Sequence, residues 1–516
     1  MTISYQSRDG REYGTLCTVS RVNGKVVKIY GEQLGRVLDK KRLVFKSRQR
    51  GVFMLDPTTM QFLPPPSDIQ LPVRKSRLKV PSRPLTYSFG DVYLVNKFAE
   101  LANIYSTFNA FADRLDSLKA IVCYYITSNL SNKYAEDWLN TSFAKFLFPQ
   151  AELDSQQVSR LLEYLGDESR QQTFFIDYLR WFTANHKDAD LGNILIDSSG
   201  LPNSIHFPLT AISNHNGEIN TEVRLIYVVQ QTTSLPIFFR AIPGNIIDVN
   251  TIARTVKQLE KMGVDTNYAI TDAGYLSDEN IELFYKNKIS FLIRMKSNKR
   301  LYKQIVKDHL GTIKKEGTLV KQRSRIVRIK KVPCYLNQKV DSKGRIISQG
   351  FAAFAYLCVD EERAALEKLQ SVQRVARGKL DIDDFDDENT QNGVFILVSK
   401  RDIPETDVIK LYYTRQQIEQ VFDIGKNYAG LLPLNVQKEE TFRGHLLVTF
   451  IAAVLIQLLS QKIQSTGYPI TPTLANLRTQ SCTLFKDEYI TAEPNKRTRE
   501  TYAAAGVEFP ITVCTQ

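Results

Sequence analysis

The feature that most constrains this chain is a run of apolar segments between residues 190 and 296, separated by amphipathic ones. LGNILID, EVRLIYVVQQ and LPIFFRAIP have the length and the β-branched and aromatic content of strands. The first is predicted to stop at Asp197, before a Ser-Ser-Gly turn. A helix with Asp248 as its N-cap and Gly263 as its stop follows, and then a strand ending at Asp272, a short helix and a fifth strand. The sequence therefore predicts a three-strand meander followed by alternating helices and strands.

This order of elements is that of the ribonuclease H-like core. The predicted fold class is α/β, with a ribonuclease H-like core that is interrupted by a β-rich insertion and preceded by a small basic β-rich segment and a helical region. The predicted divisions are the basic β-rich segment at 1–62, a proline-rich and basic linker at 63–91, the helical region at 92–188, the core with C-terminal helices at 189–296 and 393–516, and the insertion at 297–392.

Two acidic residues, Asp197 and Asp272, each follow an apolar strand. In the predicted core these strands are neighbours, so both carboxylates meet at one edge of the sheet, where open α/β sheets gather ligand-binding groups. Hard oxygen ligands select Mg²⁺ or Mn²⁺, and two such ions about 4 Å apart can promote an in-line phosphoryl displacement. A single acid after a strand is more often a turn or N-cap residue, so the pair is a stronger indication than either member.

The stretch LYYTRQQIEQVFDIGKN, residues 411–427, is predicted as an amphipathic helix. At about 100° per residue, four of its polar residues fall within about 60° of one another beside the apolar face: Tyr412, Arg415, Glu419 and Lys426. The ordinary interpretation of such a stripe is a solvated charged face with i,i+4 pairs. If the helix packs on the sheet, the stripe borders a cleft and Glu419 becomes a third carboxylate beside Asp197 and Asp272.

Positive charge is concentrated near the N-terminus. The net charge is +13, and residues 1–90 hold seventeen Lys and Arg against six Asp and Glu. Nucleic acid is the usual partner of such a segment, because each neutralised phosphate releases counterions. An anionic membrane is the alternative, but the sequence has no long basic amphipathic helix to support it. The segment is predicted to bind double-stranded DNA through Lys40, Lys41, Arg42, Lys46, Arg48 and Arg50.

Cysteine and histidine usage is typical of a cytoplasmic protein without a zinc site. The six cysteines include no C-x-x-C pair, and the five histidines form no cluster of zinc spacing. The first residues contain no apolar signal region. The most apolar segment, residues 445–460, is shorter than the roughly 20 residues that cross a bilayer. It is predicted as a buried core helix, and no membrane partner is expected.

Four segments together resemble the DDE transposases of bacterial insertion sequences. They are ILIDSSGLPN, IPGNIIDVNTI, AITDAGY and Tyr412-x-x-Arg415-x-x-x-Glu419 with Lys426 seven positions on, the Tyr-Arg-Glu-Lys signature of one large group. The resemblance spans residues 190–465, about half of the chain. It implies that two Mg²⁺ or Mn²⁺ ions are held by Asp197, Asp272 and Glu419. It also implies that the transposon-end DNA is held by Tyr412, Arg415 and Lys426.

The same resemblance implies an activity and a mode of assembly. Such an enzyme binds the terminal inverted repeats of its element, cleaves at the ends and transfers the 3′-OH strand to target DNA, as a homodimer in the synaptic complex. In the cell it is expected in the cytoplasm, associated with the nucleoid. Some relatives receive a flipped base on a tryptophan of the insertion, whereas here the tryptophans are Trp138 and Trp181. The aromatic residues that could substitute are Tyr302, Tyr335, Phe351, Phe354 and Tyr356.

Two other classes of function fit parts of the pattern. A ribonuclease H-like nuclease such as a resolvase would cut DNA without joining it. A catalytically inactive derivative would bind DNA and regulate or package it. Three converging acids argue against the inactive derivative. Their negative charges repel phosphate and would only weaken the binding of DNA by a protein that does not cleave it.

Overall fold

The computed structural model describes residues 2–8, 10–22, 25–47, 49–66, 69, 86–203, 208–215, 218–322, 325–342, 345–377, 391–432, 434, 436–485 and 488–514. Arg48 and most of the predicted linker at 63–91 lie outside the described residues. The chain forms two compact units, Met1–Arg83 and Pro84–Gln516.

The first unit is an antiparallel sheet whose six strands are neighbours in chain order. They are β1 (Thr2–Arg8), β2 (Arg11–Val22), β3 (Lys25–Asp39), β4 (Val44–Ser47), β5 (Gly51–Leu55) and β6 (Phe62–Leu63). Its core is small and consists of four buried residues, Leu34, Phe45, Phe53 and Leu55. The two phenylalanine rings stack with their centroids 5.9 Å apart. The unit therefore relies on few apolar contacts.

The second unit begins with a short strand and a helical region. These elements are β7 (Thr86–Ser88), α1 (Gly90–Leu101), α2 (Leu115–Thr127), α3 (Ala135–Thr141), α4 (Ala144–Leu147), α5 (Ser155–Leu165) and α6 (Glu168–Asn185), with 3₁₀ helices at Ile104–Arg114 and Asn132–Tyr134. The carboxylates of Asp154 and Asp167 accept hydrogen bonds from first-turn amides of α5 and α6. These N-caps explain where both helices begin.

The main sheet is built from the segment that the sequence marked as strands and helices. Its elements are β8 (Asn193–Pro202), β9 (Ala211–His215), β10 (Glu218–Gln230), β11 (Pro236–Pro243), α7 (Ile252–Lys261), β12 (Tyr268–Thr271), α8 (Asp278–Lys286) and β13 (Ser290–Arg294). The spatial order is β11-β10-β8-β12-β13. The first three strands are antiparallel, and β12 is parallel to both β8 and β13. The predicted meander and the order of elements after it are confirmed.

The sheet continues past β13 through strands from farther along the chain. The elements are α9 (Arg300–His309), α10 (Ile313–Glu316), β14 (Thr318–Gln322), β15 (Arg325–Leu336), β16 (Lys339–Val340), β17 (Ile346–Ser348), β18 (Phe351–Asp360), α11 (Glu361–Ala376) and β19 (Val394–Ser399). β19 pairs with β13, and β18, β15 and β14 follow in that order. The segment predicted as a β-rich insertion therefore contains helices as well, and its long strands extend the main sheet. By pairing with β13, β19 removes an open sheet edge.

The remaining elements are helical, apart from three strands near the C-terminus. They are α12 (Glu405–Tyr413), α13 (Gln416–Asp423), a π-helical turn at Ile424–Tyr428, α14 (Glu439–Ile463), a 3₁₀ helix at Gln464–Thr466, α15 (Ile470–Arg478), β20 (Ser481–Phe485), β21 (Glu488–Thr491), α16 (Lys496–Ala505) and β22 (Thr512–Cys514). β7 pairs with β20. A four-stranded sheet, β22-β21-β20-β7, thus joins the two ends of the second unit.

Helix α14 is the apolar segment that the sequence predicted as a core helix. Within the described residues it is the one helix long and apolar enough to cross a membrane, yet most of it is buried inside the protein. It crosses α5 closely. A Cβ added to Gly444 would collide with the Leu162 carbonyl, and one added to Gly166 would collide with the Glu440 carbonyl. Its apolar surface is therefore used for packing within the second unit.

His445 of α14 is buried between two hydrogen-bond partners. Its Nδ1 lies 2.8 Å from the Tyr125 hydroxyl, and its Nε2 lies 3.1 Å from the Leu431 carbonyl oxygen. A carbonyl oxygen can only accept, so Nε2 carries the proton and the tyrosine donates to Nδ1. Burial lowers the pKa of His445. The folded protein thus holds this histidine neutral.

We expect His445 to contribute a decrease in the free energy of unfolding as the pH drops below about 6.5, the ordinary histidine pKa. Below this pH the histidine is protonated in the unfolded chain but stays neutral in the folded protein. This difference contributes up to about 1.4 kcal/mol per pH unit to the slope of the free energy of unfolding against pH. Urea unfolding over a series of mildly acidic pH values measures this slope. His445→Gln replaces the imidazole with an amide, which can still hydrogen-bond but cannot titrate, so it should lower the slope. An unchanged slope would mean that His445 is not the group responsible.

Candidate active site

Asp197 lies within β8, not at its end. The predicted Ser-Ser-Gly turn is wrong, because β8 continues to Pro202 in an antiparallel ladder with β10. Gly200 allows close approach within that ladder, since an added Cβ would collide with the Glu222 carboxylate. Glycine at position 200 is therefore explained by close packing between two strands. The Ser-Ser-Gly sequence alone does not distinguish this role of glycine from a turn.

Asp272 follows directly after β12, the parallel neighbour of β8. Ile270 of β12 stands opposite Leu195 of β8, and each aspartate comes two residues later along the chain, Asp197 within β8 and Asp272 just past the end of β12. Asp197 and Asp272 are therefore level with each other on adjacent strands. β12 ends here while β8 continues, so the pair lies where the parallel part of the sheet opens. The predicted adjacency of the two strands is confirmed.

The signature residues lie on an irregular helical segment. The predicted regular helix at 411–427 is wrong, because the segment is divided into α12, α13 and a π-helical turn. The Arg415 amide bonds to the Tyr412 carbonyl, and the Ile418 amide bonds to the Arg415 carbonyl, at 3.1 and 3.0 Å. These are tight i→i−3 bonds, whereas Lys426 lies in the wider π-helical turn. Such irregular turns are common at functional sites, and the 100° spacing does not apply across them.

Arg415 joins two of the predicted carboxylates. Its Nη1 lies 2.6 Å from Asp197 Oδ2, and its Nη2 lies 2.6 Å from Glu419 Oε1. The same helical segment also contacts the third carboxylate, that of Asp272. The Tyr412 hydroxyl donates a hydrogen bond to Asp272 Oδ1 at 3.4 Å. The structure therefore connects Asp197, Asp272 and Glu419 through one arginine and one tyrosine.

The electrostatics of the site favour an added cation. Burial raises the pKa of Asp197 to about 6, with smaller contributions from the Asp272 and Asp248 charges, although Arg415 acts in the opposite direction. Burial and the Asp272 charge also raise the pKa of Tyr412, so its hydroxyl remains a donor. One guanidinium thus only partly offsets the carboxylates, and further positive charge at this edge would stabilise their ionised forms.

Lys426 contacts β8 next to Asp197. Its Nζ donates to Ser199 Oγ at 2.6 Å and to the Gly200 carbonyl at 3.3 Å. Burial lowers the pKa of Lys426, and the Glu222 charge partly opposes this shift. Because alternate residues of a strand share a face, Ser199 lies on the same face as Asp197. The four signature residues therefore all lie against or beside the edge that carries the aspartates.

The donor chemistry fits a hard divalent cation, although the carboxylates are not gathered around one point. In the part of the chain that the structure describes, no group of three Asp, Glu, His or Cys side chains could hold a metal ion. The Glu419 side chain is 54% exposed. Its carboxylate and that of Asp197 both bind the Arg415 guanidinium, which lies between them. Carboxylate oxygens are nevertheless the ligands that Mg²⁺ and Mn²⁺ prefer. Arg415 already places a positive charge between two of them.

Sequence reasoning missed a second charge network, on the other face of β8. Ser198 Oγ donates to the Asp248 carboxylate, and Arg224 Nη1 donates to the same oxygen at 2.8 Å. Arg224 is 1% exposed and also pairs with Glu222 at 3.4 Å. The predicted N-cap role of Asp248 is wrong, because α7 begins after Thr251 and has no side-chain cap.

This network fixes β8 from the face opposite Asp197, since successive strand residues point to opposite faces. One signal in the sequence could have revealed it. Glu222 and Arg224 interrupt an otherwise apolar strand, and a charge in a central strand needs a buried partner. The sequence does not say which acid supplies that partner.

The aromatic candidates of the insertion differ in accessibility. Tyr302 and Tyr356 are buried, and the Phe351 ring stacks on Tyr285 at 4.5 Å. Tyr335 is 42% exposed and lines a cavity of about 450 Å³ together with basic residues of the α9 region. Tyr335 is therefore the candidate most accessible to a ligand.

The candidate cations of the N-terminal unit are partly engaged in ion pairs. Lys40 pairs with Glu12 at 2.9 Å, Arg42 with Asp39 at 3.4 Å and Arg50 with Glu32 at 3.2 Å. The side chains of Lys41 and Lys46 are exposed. Arg48 lies outside the described residues, so its placement is not given.

The mixed α/β sheet and its paired aspartates are those of an enzyme with an acidic site at a sheet edge. Residues 194–455, about half of the chain, match the family described as transposase DDE domain. The chain belongs to this family and is a transposase. No curated protein matches the sequence. Among solved structures, one similar chain is the piggyBac transposase, seen by cryo-EM in its synaptic complex with hairpin DNA. It is 12% identical, the alignment covers 82% of each chain, and the TM-score is 0.38, too low to establish a common fold.

Proposed function

We propose that this protein is the transposase of an insertion sequence. It binds the terminal inverted repeats as double-stranded DNA, cleaves at the ends and transfers the 3′-OH strand to target DNA by two-metal phosphoryl transfer. The observation that carries the proposal is the level placement of Asp197 and Asp272 on neighbouring parallel strands, with the Arg415–Glu419 pair packed against them. The strand order β11-β10-β8-β12-β13 supports assigning this part of the chain to a ribonuclease H-like core.

In this proposal Asp197, Asp272 and Glu419 hold two Mg²⁺ or Mn²⁺ ions. Ions held by these carboxylates would supply Lewis acidity for activating a water or 3′-hydroxyl and for offsetting charge on the leaving oxygen. The carboxylates of the free protein are held in place by Arg415 and Tyr412. Arg415 stands between Asp197 and Glu419, so its guanidinium has to move before both carboxylates can share an ion.

Arg415 and Lys426 are proposed to bind DNA phosphates. Arg415 presents two N–H groups to two carboxylates, and the same planar fork can take up a phosphate bidentately. Lys426 can exchange its contact with the Ser199 hydroxyl for a phosphate oxygen. Tyr412 is 7% exposed. We therefore assign Tyr412 to positioning Asp272 through its hydroxyl and not to stacking on a base.

The remaining parts of the proposal concern assembly and DNA recognition. Two ends of an element must be brought together, so the protein acts as a homodimer in the synaptic complex. It works in the cytoplasm, on nucleoid DNA. The basic N-terminal unit recognises the end sequence, and for its phosphate contacts exposed Lys41 and Lys46 are better placed than the ion-paired Lys40, Arg42 and Arg50.

The test uses duplexes that carry the DNA flanking the gene, with Mg²⁺ present. Wild-type protein should give both cleaved and joined products. Glu419→Gln should lose both by on the order of 10³-fold, because several kcal/mol of transition-state stabilisation disappear with a metal ligand. It should still bind the same duplexes in a gel-shift assay. Asp423→Asn, an exposed carboxylate on the same helix, is the matched control and should retain activity.

Each other outcome assigns the protein differently. Cleavage without any joined product would favour a nuclease or resolvase. Binding without cleavage by the wild type would favour an inactive DNA-binding derivative. Full cleavage by Glu419→Gln would refute the role given to Glu419.

A further inference from the structure

The N-terminal unit contains a two-stranded ribbon that extends beyond its sheet. β2 and β3 pair in six consecutive positions, from Cys17 opposite Tyr30 to Val22 opposite Lys25. β1 pairs with β2 only as far as Cys17, and β4 pairs with β3 only between Arg36 and Asp39. At about 3.4 Å per residue the ribbon is about 17 Å long. Beyond Cys17, none of the described strands lies alongside it.

The two faces of the ribbon differ in chemistry. Residues directly opposite one another in the register share a face. One face carries Val19, Arg21, Lys28 and Tyr30, and the other carries Thr18, Ser20, Val27 and Ile29. We call the first the basic face. It combines two cations with an aromatic ring, whereas the second face has one cation in the register, Lys25, at the end of the ribbon.

The basic face is accessible and its charge is not neutralised. Val19 is 47% exposed and Tyr30 is 56% exposed. Arg21 and Lys28 are exposed and form no ion pair or side-chain hydrogen bond with any residue that the structure describes. Residues 17–31 include no Asp or Glu. By contrast, Lys40 and Arg50 of the same unit are held in ion pairs.

We propose that the β2–β3 ribbon enters the major groove of double-stranded DNA with its basic face toward the DNA. The inference rests on the proposed function, in which DNA is the substrate, and assigns residues that the charge pattern did not single out. The major groove, about 12 Å wide, admits a two-stranded ribbon. Arg21 and Lys28 bind phosphates, the Tyr30 hydroxyl donates to a phosphate or a base edge, and Val19 packs on a thymine methyl.

A second copy of the chain fits the basic face less well. Two basic faces brought together would oppose like charges without an acidic partner. Phosphate walls on either side of a groove supply the missing negative charge. Charge complementarity therefore selects DNA as the occupant.

The experiment compares variants of the full-length protein by fluorescence anisotropy, with a labelled mixed-sequence duplex of about 30 base pairs over a salt series. Arg21→Gln/Lys28→Gln should weaken binding roughly 30-fold at about 0.15 M salt and flatten the plot of log K against log[salt] by about 2. Lys40→Gln/Arg50→Gln removes the same charge from ion-paired residues of the same unit. We expect this matched control to lose roughly threefold or less, since exposed pairs already use these cations.

A second control maps the face. Val27→Thr/Ile29→Thr changes uncharged residues of the second face and should leave DNA affinity and its salt dependence unchanged. Since all of these side chains are on the surface, circular dichroism should show every variant folded. Equal losses in the two charge variants would overturn the proposal, because net charge alone would then explain them.

The remaining outcomes separate this inference from the proposed function. Undiminished binding by Arg21→Gln/Lys28→Gln would overturn the ribbon as a DNA contact while leaving the proposed function in place. If that variant bound DNA normally but lost self-association in analytical ultracentrifugation, the basic face would belong to a second copy. Wild-type protein that failed to bind any duplex would overturn the ribbon and the proposed function together.

Discussion

Asp197→Asn should abolish DNA cleavage and leave the metal-free protein at least as stable as the wild type. The loss of activity, on the order of 10³-fold, follows from removing a proposed metal ligand. The stability follows from burial, which raises the pKa of Asp197 to about 6, so the folded state disfavours the ionised carboxylate. A neutral amide avoids that cost, about 1.4 kcal/mol per pKa unit, while Arg415 keeps its pair with Glu419. We expect a gain between zero and about 2 kcal/mol.

Urea unfolding in the presence of a chelator measures this effect. Asp248→Asn is the matched control, because Asp248 lies on the opposite face of β8 and accepts hydrogen bonds from Ser198 and Arg224. It should destabilise the protein, since Arg224 loses its closest carboxylate partner. A marked loss of stability in Asp197→Asn would show that Asp197 serves the fold, and the proposed site would then be wrong. Sites whose charges destabilise the fold are a recurrent feature of enzymes.

Arg224→Met should destabilise the second unit by about 3 to 5 kcal/mol, the usual cost of removing one member of a buried ion pair. Arg224 is 1% exposed, and its removal leaves Asp248 and Glu222 without their shared cation. The hydroxyl of Ser198, next to Asp197, donates to Asp248. Cleavage should therefore fall as well, in the folded variant, because β8 is held less firmly on that face.

Thermal and urea unfolding of the full chain measure the change in stability. Arg254→Met alters an exposed arginine of α7 and should shift stability by no more than about 0.5 kcal/mol. The combined variant Arg224→Met/Asp248→Asn/Glu222→Gln should recover part of the loss, because no uncompensated charge remains. If Arg224→Met were as stable as Arg254→Met, the network would contribute nothing to the fold.

The order of the core elements followed from local patterns. Strand length, β-branched content and the alternation with amphipathic helices predicted β8, β10, β11, β12 and β13 in order, and they placed Asp197 and Asp272 on neighbouring strands. Residues 445–460 were predicted as a buried helix, and α14 is mostly buried. These features depend on side-chain polarity at fixed spacing, which is visible along the chain.

The irregular features did not follow from such patterns. Ser198 and Gly200 form a ladder with β10 where a turn was predicted, because the pairing partner comes from a strand that the local pattern does not contain. In the 411–427 segment the helical turn is tight at Arg415, with i→i−3 hydrogen bonds, and wide at Lys426, in a π-helical turn. A uniform spacing of about 100° per residue does not describe such a helix. β19, which follows the insertion, pairs with β13 about a hundred residues away, and the long strands of the insertion extend the sheet beyond β19.

The sequence by itself determined the types and order of the core elements and selected the candidate site residues, since both depend on which side chains occur at which spacing. The tertiary structure alone decided how the charges are paired. Arg415 forms an ion pair with Asp197, which is 218 positions away in the sequence. Arg224 pairs with Asp248, and Lys40 pairs with Glu12. The physical reason is that Coulomb energy depends on distance in space and on burial. The local sequence around a charged residue specifies neither of these.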